Sequence, residues 1–274
     1  MTEQAALIDL VTATARQTGA LIMRYYRPGE SPDPRSWVGS KGVDNPVTQA
    51  DMEANALLHQ MLMTATPNYG WLSEESPDHP ERLEQQRVWV IDPIDGTREF
   101  IRGQPQFAIS IGLVEQGRPL LGCVYNPARE QLFMAWHQGG SYLNDQLVRV
   151  SNRQQLLGAS CLSSYSETYR GEWEPFRDEL QLTVMGSVAY KLALVASGYY
   201  DLTFTLAPKS EWDICAGLLL VKCGGGRVTD QQGNDLLFNR PLPQLTSVLA
   251  SNGTLHPALL QRLAQVPLSP GQRR

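Results

Sequence analysis

Val88-Trp89-Val90-Ile91-Asp92-Pro93-Ile94-Asp95-Gly96-Thr97 is the stretch on which the reading of the whole chain turns. Its first four residues are apolar and mostly β-branched or aromatic, the composition of a buried strand. The strand is expected to end on Asp92, because Pro93 has no N–H for the next ladder bond. Pro93 fixes its own φ and Gly96 permits a tight turn, so Asp92 and Asp95 fall on one strand-end loop with the Ile94 carbonyl between them. Hard oxygen donors crowded in this way suit Mg²⁺, and neighbouring carboxylates either retain a proton or take up a cation. Gly96 and Thr97 are expected to open a helix whose free amides favour a phosphate.

In isolation, the same spacing fits a turn aspartate followed by a helix cap. Two further acidic stretches change the weighing. Trp71-Leu72-Ser73-Glu74-Glu75-Ser76 is another short apolar run ending in acids, and Glu211-Trp212-Asp213-Ile214-Cys215-Ala216-Gly217 opens a small-residue helix with acids. These three ends are expected to converge as one acidic cluster.

Glu74-Glu75, Asp92-Pro93-Ile94-Asp95-Gly96-Thr97, Trp212-Asp213 and Gly224-Gly225-Gly226, in this order and spacing, resemble the inositol monophosphatase superfamily of metal-dependent phosphatases. Within it the motifs are most similar to those of bacterial 3′(2′),5′-bisphosphate nucleotidases. The likeness runs from the first helix to the glycine-rich strand. It implies a layered αβαβα sandwich, of mixed α+β and α/β character, as in inositol monophosphatase and fructose-1,6-bisphosphatase.

With 274 residues and 30.5 kDa, the chain has room for one large domain or two halves sharing a core. A net charge of −5 offers no basic footprint for a nucleic acid polymer, whereas a small phosphorylated ligand needs only a local positive site. The polar opening residues and the lack of any apolar run of about 20 residues argue against a signal peptide and a membrane span, so a cytoplasmic location is expected. Cys123, Cys161, Cys215 and Cys223 are widely spaced and read as small buried residues.

A long amphipathic helix is expected over 5–27, then a Pro/Gly/Ser-rich loop over 28–42 carrying Trp37 and Lys41. A second helix follows through about residue 63, with Met52, Ala56 and Met63 as its apolar positions. Strands at 107–114, 120–125, 132–136 and 142–143, with a hairpin loop at 115–119, complete an N-terminal half of residues 1–150, a helix pair against a mostly antiparallel sheet. The half formed by 151–274 alternates strands at 159–163, 182–185 and 200–206 with helices near 174–180, 188–197 and 214–222. A last strand and helix are expected at 247–250 and 256–264. Gly224-Gly225-Gly226 leads into a strand rather than a helix and reads as a structural turn.

The resemblance implies roles residue by residue. Glu74, Asp92 and the Ile94 carbonyl would hold a first Mg²⁺, and Asp92, Asp95 and Asp213 a second, with two or three ions per site. Glu74 and a Thr97–Asp51 pair would position the attacking water, since a hydroxyl is a poor base alone. Asp51 also fits plain helix-cap chemistry, and Lys41 fits either the family's metal-assisting loop lysine or a solvated side chain. Substrate contacts are expected from Asp95, Gly96, Thr97, Gly186, Ser187, Lys191 and Asp213. Gly96-Thr97-Arg98-Glu99-Phe100 is similar to the nucleotidases' G-T-K-E-F. Leu206 stands where inositol monophosphatases tend to carry a glutamate. Gly186, Ser187 and Lys191 resemble G-S-x-x-K with one extra residue, which leaves Lys191 either meeting a second phosphate or simply solvated on a helix face.

The resulting expectation is a Mg²⁺-dependent phosphomonoesterase that converts adenosine 3′,5′-bisphosphate, a by-product of sulfate assimilation, to AMP and phosphate. Inositol-1-phosphate or fructose-1,6-bisphosphate hydrolysis is the alternative. A non-catalytic phosphate-binding role is disfavoured because every expected acid is present. A homodimer is compatible with the family.

Overall fold

The structure is a computed structural model that describes residues 2–29, 38–40 and 46–266; Trp37, Lys41 and the tail 267–274 lie outside the described residues. The chain begins with α1 (Glu3–Ile22), β1 (Val38–Ser40), β2 (Pro46–Thr48), α2 (Gln49–Ala65), β3 (Gly70–Ser73), β4 (Arg87–Asp95) and α3 (Thr97–Ile101). An antiparallel run follows: β5 (Ala108–Glu115), β6 (Arg118–Asn126), β7 (Gln131–Trp136), β8 (Ser141–Leu143) and β9 (Gln146–Val148). Then come β10 (Ala159–Ser163), α4 (Tyr165–Tyr169), β11 (Leu180–Val184), α5 (Val188–Ala196), β12 (Leu202–Thr205), β13 (Lys209–Ser210) and α6 (Glu211–Cys223). The described chain closes with β14 (Arg227–Thr229), β15 (Gln244–Leu245), β16 (Val248–Ser251) and α7 (His256–Leu263).

Strand periodicity sets the layers. Trp89 and Ile91 of β4 point to one face, where they join Leu7, Val11 and Ile22 of α1 and Leu58 and Leu62 of α2. Val88 and Val90 point to the other and meet α5 and α6. Both faces of this seven-stranded sheet, ordered β3-β4-β5-β6-β7-β8-β9, are therefore covered, and its central strands read as continuous apolar runs. A second sheet, ordered β11-β10-β12-β16-β14, lies beyond α5 and α6. Its outer face packs Cys161, Leu202 and Phe204 against Leu255, Leu259 and Leu263. The order helix pair, sheet, helix pair, sheet, helix is the expected αβαβα sandwich. Among the described residues no helix is long and apolar enough to cross a membrane.

Four local expectations are corrected. The strand through residue 88 does not end at Asp92: β4 continues to Asp95, and a bulge between Asp92 and Asp95 absorbs Pro93, whose lack of an N–H a bulge tolerates. On α2 the buried positions are Ala50, Asp51, Ala54, Asn55, Leu58 and Leu62, while Met52 is exposed; the polar Asp51 and Asn55 turn inward because they face the site. The helix expected at 174–180 is a single 3₁₀ turn at Glu174–Phe176, after which β11 begins. The hairpin at 115–119 tightens to a two-residue turn, with Gln116 and Gly117 at φ 50° and 78°, the geometry that matches strand twist.

Candidate active site

The acids arrive at one place for separate reasons. Glu74 follows β3, and its N–H donates to Ile91 O at 3.2 Å, which extends the parallel β3–β4 pairing and sets Glu74 beside Asp92. Asp92 is held in the bulge by the Ile94 N–H, which donates to its Oδ1 at 3.0 Å. Asp213 occupies the third position of α6 as half of a capping box, accepting at Oδ2 from Ser210 N–H at 3.2 Å. The start of α6 is tied to the sheet by the Ser110 hydroxyl, which donates to Trp212 O at 2.9 Å. One carboxylate oxygen from each of Glu74, Asp92 and Asp213 lies within 4.8 Å of the others, a spacing that one cation can bridge.

Asp95 stands next to this trio but is partly committed elsewhere. Its Oδ2 accepts from Ser187 Oγ and from Ala189 N–H, both at 2.6 Å, so it caps the start of α5. Ser187 in turn accepts from Tyr190 N–H at 3.0 Å.

Burial and mutual repulsion act together on these groups. Burial, then the charges of Glu74, Asp95 and Asp213, pushes Asp92 well above the usual carboxylate range. Burial likewise raises Asp213, helped by Asp95 and Glu74 and opposed by Lys209. Asp95 is pushed up to about 6 by burial, against the bonds from Ser187 and Ala189 and the charge of Lys191. A nest of all-oxygen donors that resists ionising together is relieved by a hard divalent cation, so the donor set fits Mg²⁺.

Thr97 links the acids to α2. Its hydroxyl lies 3.0 Å from Ile94 O and 3.2 Å from Asp51 Oδ1. Asp51 is 1% exposed and forms a capping box with Thr48, accepting at Oδ2 from Thr48 N–H at 2.8 Å and from Thr48 Oγ at 2.5 Å. Burial pushes Asp51 to about 7 against the Thr48 bonds. The two readings of Asp51 are therefore joined: one oxygen caps the helix and the other reaches Thr97. Gly96 makes the turn between them possible, because it holds φ 97° and a Cβ there would fall 2.7 Å from Gln106 O.

A cavity of about 360 Å³ opens onto this cluster. Glu74, Asp92, Ile94, Asp95, Gly96, Thr97, Gly186, Ser187, Lys191 and Asp213 all line it; Asp51 lies behind Thr97. α3 begins at Thr97, directly after Gly96 on the cavity wall, and the N-terminus of α5 is taken by Asp95. Lys191 is not solvated: it is 4% exposed, because α5 is wedged between the two sheets. Arg98 is exposed at the cavity wall. Leu206 packs against the outer apolar cluster and does not line the cavity. The glycines 224–226 end α6, where Gly224 and Gly226 approach Ala196 O and Ser251 O closely, a packing role.

Sequence reading missed Asn55, Glu99 and Lys209. Asn55 Nδ2 donates to Ser76 Oγ at 3.0 Å while its Oδ1 accepts from Ser73 Oγ at 2.7 Å, which fixes the segment carrying Glu74. Glu99 is buried against Gly186, where any Cβ would collide with its carboxylate. Lys209, four residues before Asp213, was within reach of sequence reasoning as a charge beside a known acid.

Comparison with known proteins follows the same lines. The chain is 35% identical to an inositol-1-monophosphatase of Mesorhizobium japonicum, across 97% of this chain and 98% of that protein. It is also 35% identical to the 3′(2′),5′-bisphosphate nucleotidase CysQ of Salmonella typhimurium, across 84% of this chain and 93% of that protein. Its backbone matches the solved structure of an IMPase of Thermotoga maritima with a TM-score of 0.83 at 28% identity, over 95% of this chain and 97% of that one. The family model for these metal-dependent phosphatases of small phosphorylated substrates matches residues 3–268, and the chain belongs to the inositol monophosphatase family.

Proposed function

We propose that this protein is a Mg²⁺-dependent phosphomonoesterase that hydrolyses the 3′-phosphate of adenosine 3′,5′-bisphosphate to AMP and phosphate. The observation that carries the reading is the meeting of Glu74, Asp92 and Asp213 within 4.8 Å, on the wall of a cavity that also presents Thr97 and the buried Lys191.

Glu74, Asp92, the Ile94 carbonyl, Asp95 and Asp213 would hold the ions. When bound, Mg²⁺ supplies positive charge to the phosphoryl oxygens and leaving group and makes water more acidic. The chain does the rest. Ser187 and Ala189 fix the orientation of Asp95. Thr97 stands at the cavity wall with its hydroxyl within reach of Asp51, which is poised near neutrality and can take a proton relayed through that hydroxyl. Gly96 keeps the wall thin enough for a phosphate to approach the backbone. Lys191 presents a buried ammonium to a second anionic group.

Inositol-1-phosphate hydrolysis is a second reading, favoured by the 35% identity to the Mesorhizobium enzyme of that name. Leu206 counts against it, since a leucine accepts no hydrogen bond from a ring hydroxyl and here faces apolar neighbours. The deciding experiment is a substrate panel of adenosine 3′,5′-bisphosphate, inositol-1-phosphate and fructose-1,6-bisphosphate with and without Mg²⁺. Metal-dependent phosphate release fastest from the adenosine bisphosphate is expected. Faster turnover of the inositol ester would transfer the assignment to that substrate.

A further inference from the structure

Outside the cavity, the segments that deliver Glu74 and Asp213 to the cluster are joined by a chain of polar side chains. Arg82 lies in the 3₁₀ turn Pro80–Glu84 between β3 and β4, and only 3% of it is exposed. Its Nε and Nη2 donate to the two carboxylate oxygens of Asp78 at 2.6 and 2.9 Å, a bidentate pair four residues beyond Glu74. The other side of the guanidinium faces the loop before β15. Nη1 donates to Asn239 Oδ1 at 2.6 Å and Nη2 to Arg240 O at 2.9 Å, while Asn239 Nδ2 donates back to Arg82 O at 3.3 Å.

That loop is fastened in turn to the first residue of α6. Glu211 is fully buried, and its Oε2 and Oε1 accept from the N–H groups of Asn239 and Arg240 at 2.6 and 3.1 Å. Asn239 holds φ 57°, a conformation asparagine tolerates, and both of these successive N–H groups turn to one carboxylate. The Glu211 N–H donates to Pro243 O at 3.0 Å, which closes the loop onto the helix start. Asp213 stands two residues further along the same turn. Neither Arg82 nor Glu211 lines the cavity, so neither can touch an ion or a substrate there.

Glu74, Asp92 and Asp213 bring carboxylate oxygens within 4.8 Å of one another, and like charges at that range push their segments apart before any cation arrives. Asp92 is held by its own bulge. Glu74 and Asp213 sit at the ends of separate elements and need an external tie. We infer that Arg82, Asn239 and Glu211 form a strut behind the site that keeps Glu74 and Asp213 at cation-bridging separation, which makes Arg82 and Glu211 positioning residues for the metal centre. The inference rests on the reading of the acidic cluster as a divalent-cation site. Affinity is gained because the ligands are assembled when the chain folds rather than when the ion binds.

The test measures Mn²⁺ binding to the full-length chain, with free ion read from its electron paramagnetic resonance signal, at a temperature where each variant is folded by circular dichroism. Mn²⁺ prefers the same hard oxygen donors as Mg²⁺. In wild type the binding should be removed by Asp92→Asn. Arg82→Met and Glu211→Gln should each weaken it by about tenfold, the usual effect of losing a group that orients a ligand. The direction in Arg82→Met is decisive, because removing a cation near an acidic cluster would by charge alone tighten cation binding. Asn239→Gly keeps the backbone conformation and deletes one link, so a loss of about threefold is expected, and it carries the test should Arg82→Met not fold. The Arg82→Met, Glu211→Gln double variant should bind no more than about threefold worse than the weaker single, since both cut one strut. Leu259→Ala, a truncation in the distant outer core, should lower Tm and leave Mn²⁺ affinity unchanged. Unchanged or tighter binding in folded Arg82→Met overturns the strut and leaves the metal site standing. Wild-type binding that survives Asp92→Asn overturns the metal reading and the strut with it. Weakened binding in the variants of a wild type that releases phosphate from no ester supports the strut and removes only the phosphatase reading.

Discussion

Asp95 and Ser187 stand 92 positions apart in the chain and are joined by a 2.6 Å hydrogen bond from the serine hydroxyl to Asp95 Oδ2. Ser187 holds φ 56°, a conformation that a serine adopts at some cost, and it does so while capping α5 through Tyr190 N–H. The strand end that bears the acids is thereby fastened to the helix that bears Lys191. Strain at such a residue persists only where surrounding contacts impose it, and here two hydrogen bonds through one hydroxyl impose it.

Asp95→Asn keeps an acceptor oxygen for Ser187 and Ala189 and removes a buried charge. Its metal-free stability should stay within about 1 kcal/mol of wild type, while Mg²⁺-dependent activity falls by at least about a hundredfold, or about 2.7 kcal/mol of transition-state stabilisation. Denaturant melts and steady-state kinetics check both; wild-type turnover would remove Asp95 from the metal-binding set.

The raised acids fix the pH dependence of the metal-free protein. Asp95 at about 6, Asp51 at about 7, and Asp92 and Asp213 well above their ordinary values all bind protons more readily folded than unfolded. Their contribution to stability is present in full below about pH 4, the unfolded aspartate value, and is lost as pH rises through 6 to 7 and beyond. Thermal unfolding in chelator should therefore show falling Tm over that window, and Mg²⁺ should restore Tm most at the alkaline end by binding the folded state alone. Asp92→Asn should raise the metal-free Tm and abolish most of the Mg²⁺ effect.

Thr97→Val is nearly isosteric and deletes only the hydroxyl that connects the cavity to Asp51. The expected loss in kcat is on the order of 10² to 10⁴, the usual range for a proton-transfer group, with the Mg²⁺-induced Tm increase retained. Stopped assays with a Mg²⁺ titration by thermal shift separate the two effects.

Gly96→Ala places a methyl 2.7 Å from Gln106 O at φ 97°. Both strain and contact are expected to destabilise the fold by more than about 1 kcal/mol and to shift the Asp95–Thr97 turn. A chemical melt reads the first consequence and kcat the second.

His256 gives an opposite pH signature far from the cavity. The Thr229 hydroxyl spends its proton on Asp230 O, so the ring donates from Nε2 to Thr229 Oγ1 and accepts at Nδ1 from Ser251 Oγ. Burial lowers this histidine to about 4, with Arg227 adding to the effect. A depressed histidine favours the folded state above the unfolded value of about 6.5, and that advantage is lost as pH falls toward 4. With Mg²⁺ saturating the acids, His256→Gln should flatten the Tm-against-pH profile between pH 6.5 and 4, whatever it does to absolute stability.

Much of the site was legible because it is local. Asp92, Ile94, Asp95, Gly96 and Thr97 lie within one turn, so spacing alone brought that set together. The wrong face assigned to α2 has a physical origin: Asp51 and Asn55 are buried polar residues whose partners, Thr97 and Ser73, lie on other elements. A pattern of apolar residues cannot register a polar residue buried for its hydrogen bonds.

Alternation in the strands and helical spacing in α1 specified which side chains turn inward, the acidic strand ends pointed to hard-oxygen chemistry, and the αβαβα layering was what the family resemblance implied. Only the packed structure decided that Glu74, Asp92 and Asp213 meet within 4.8 Å, that Asp95 divides itself between the acids and α5, and that Lys191 is buried. The periodicity of a chain records the direction each side chain faces. Distances between groups on different elements arise when those faces are pressed together, and that is where charges meet and pKa values move.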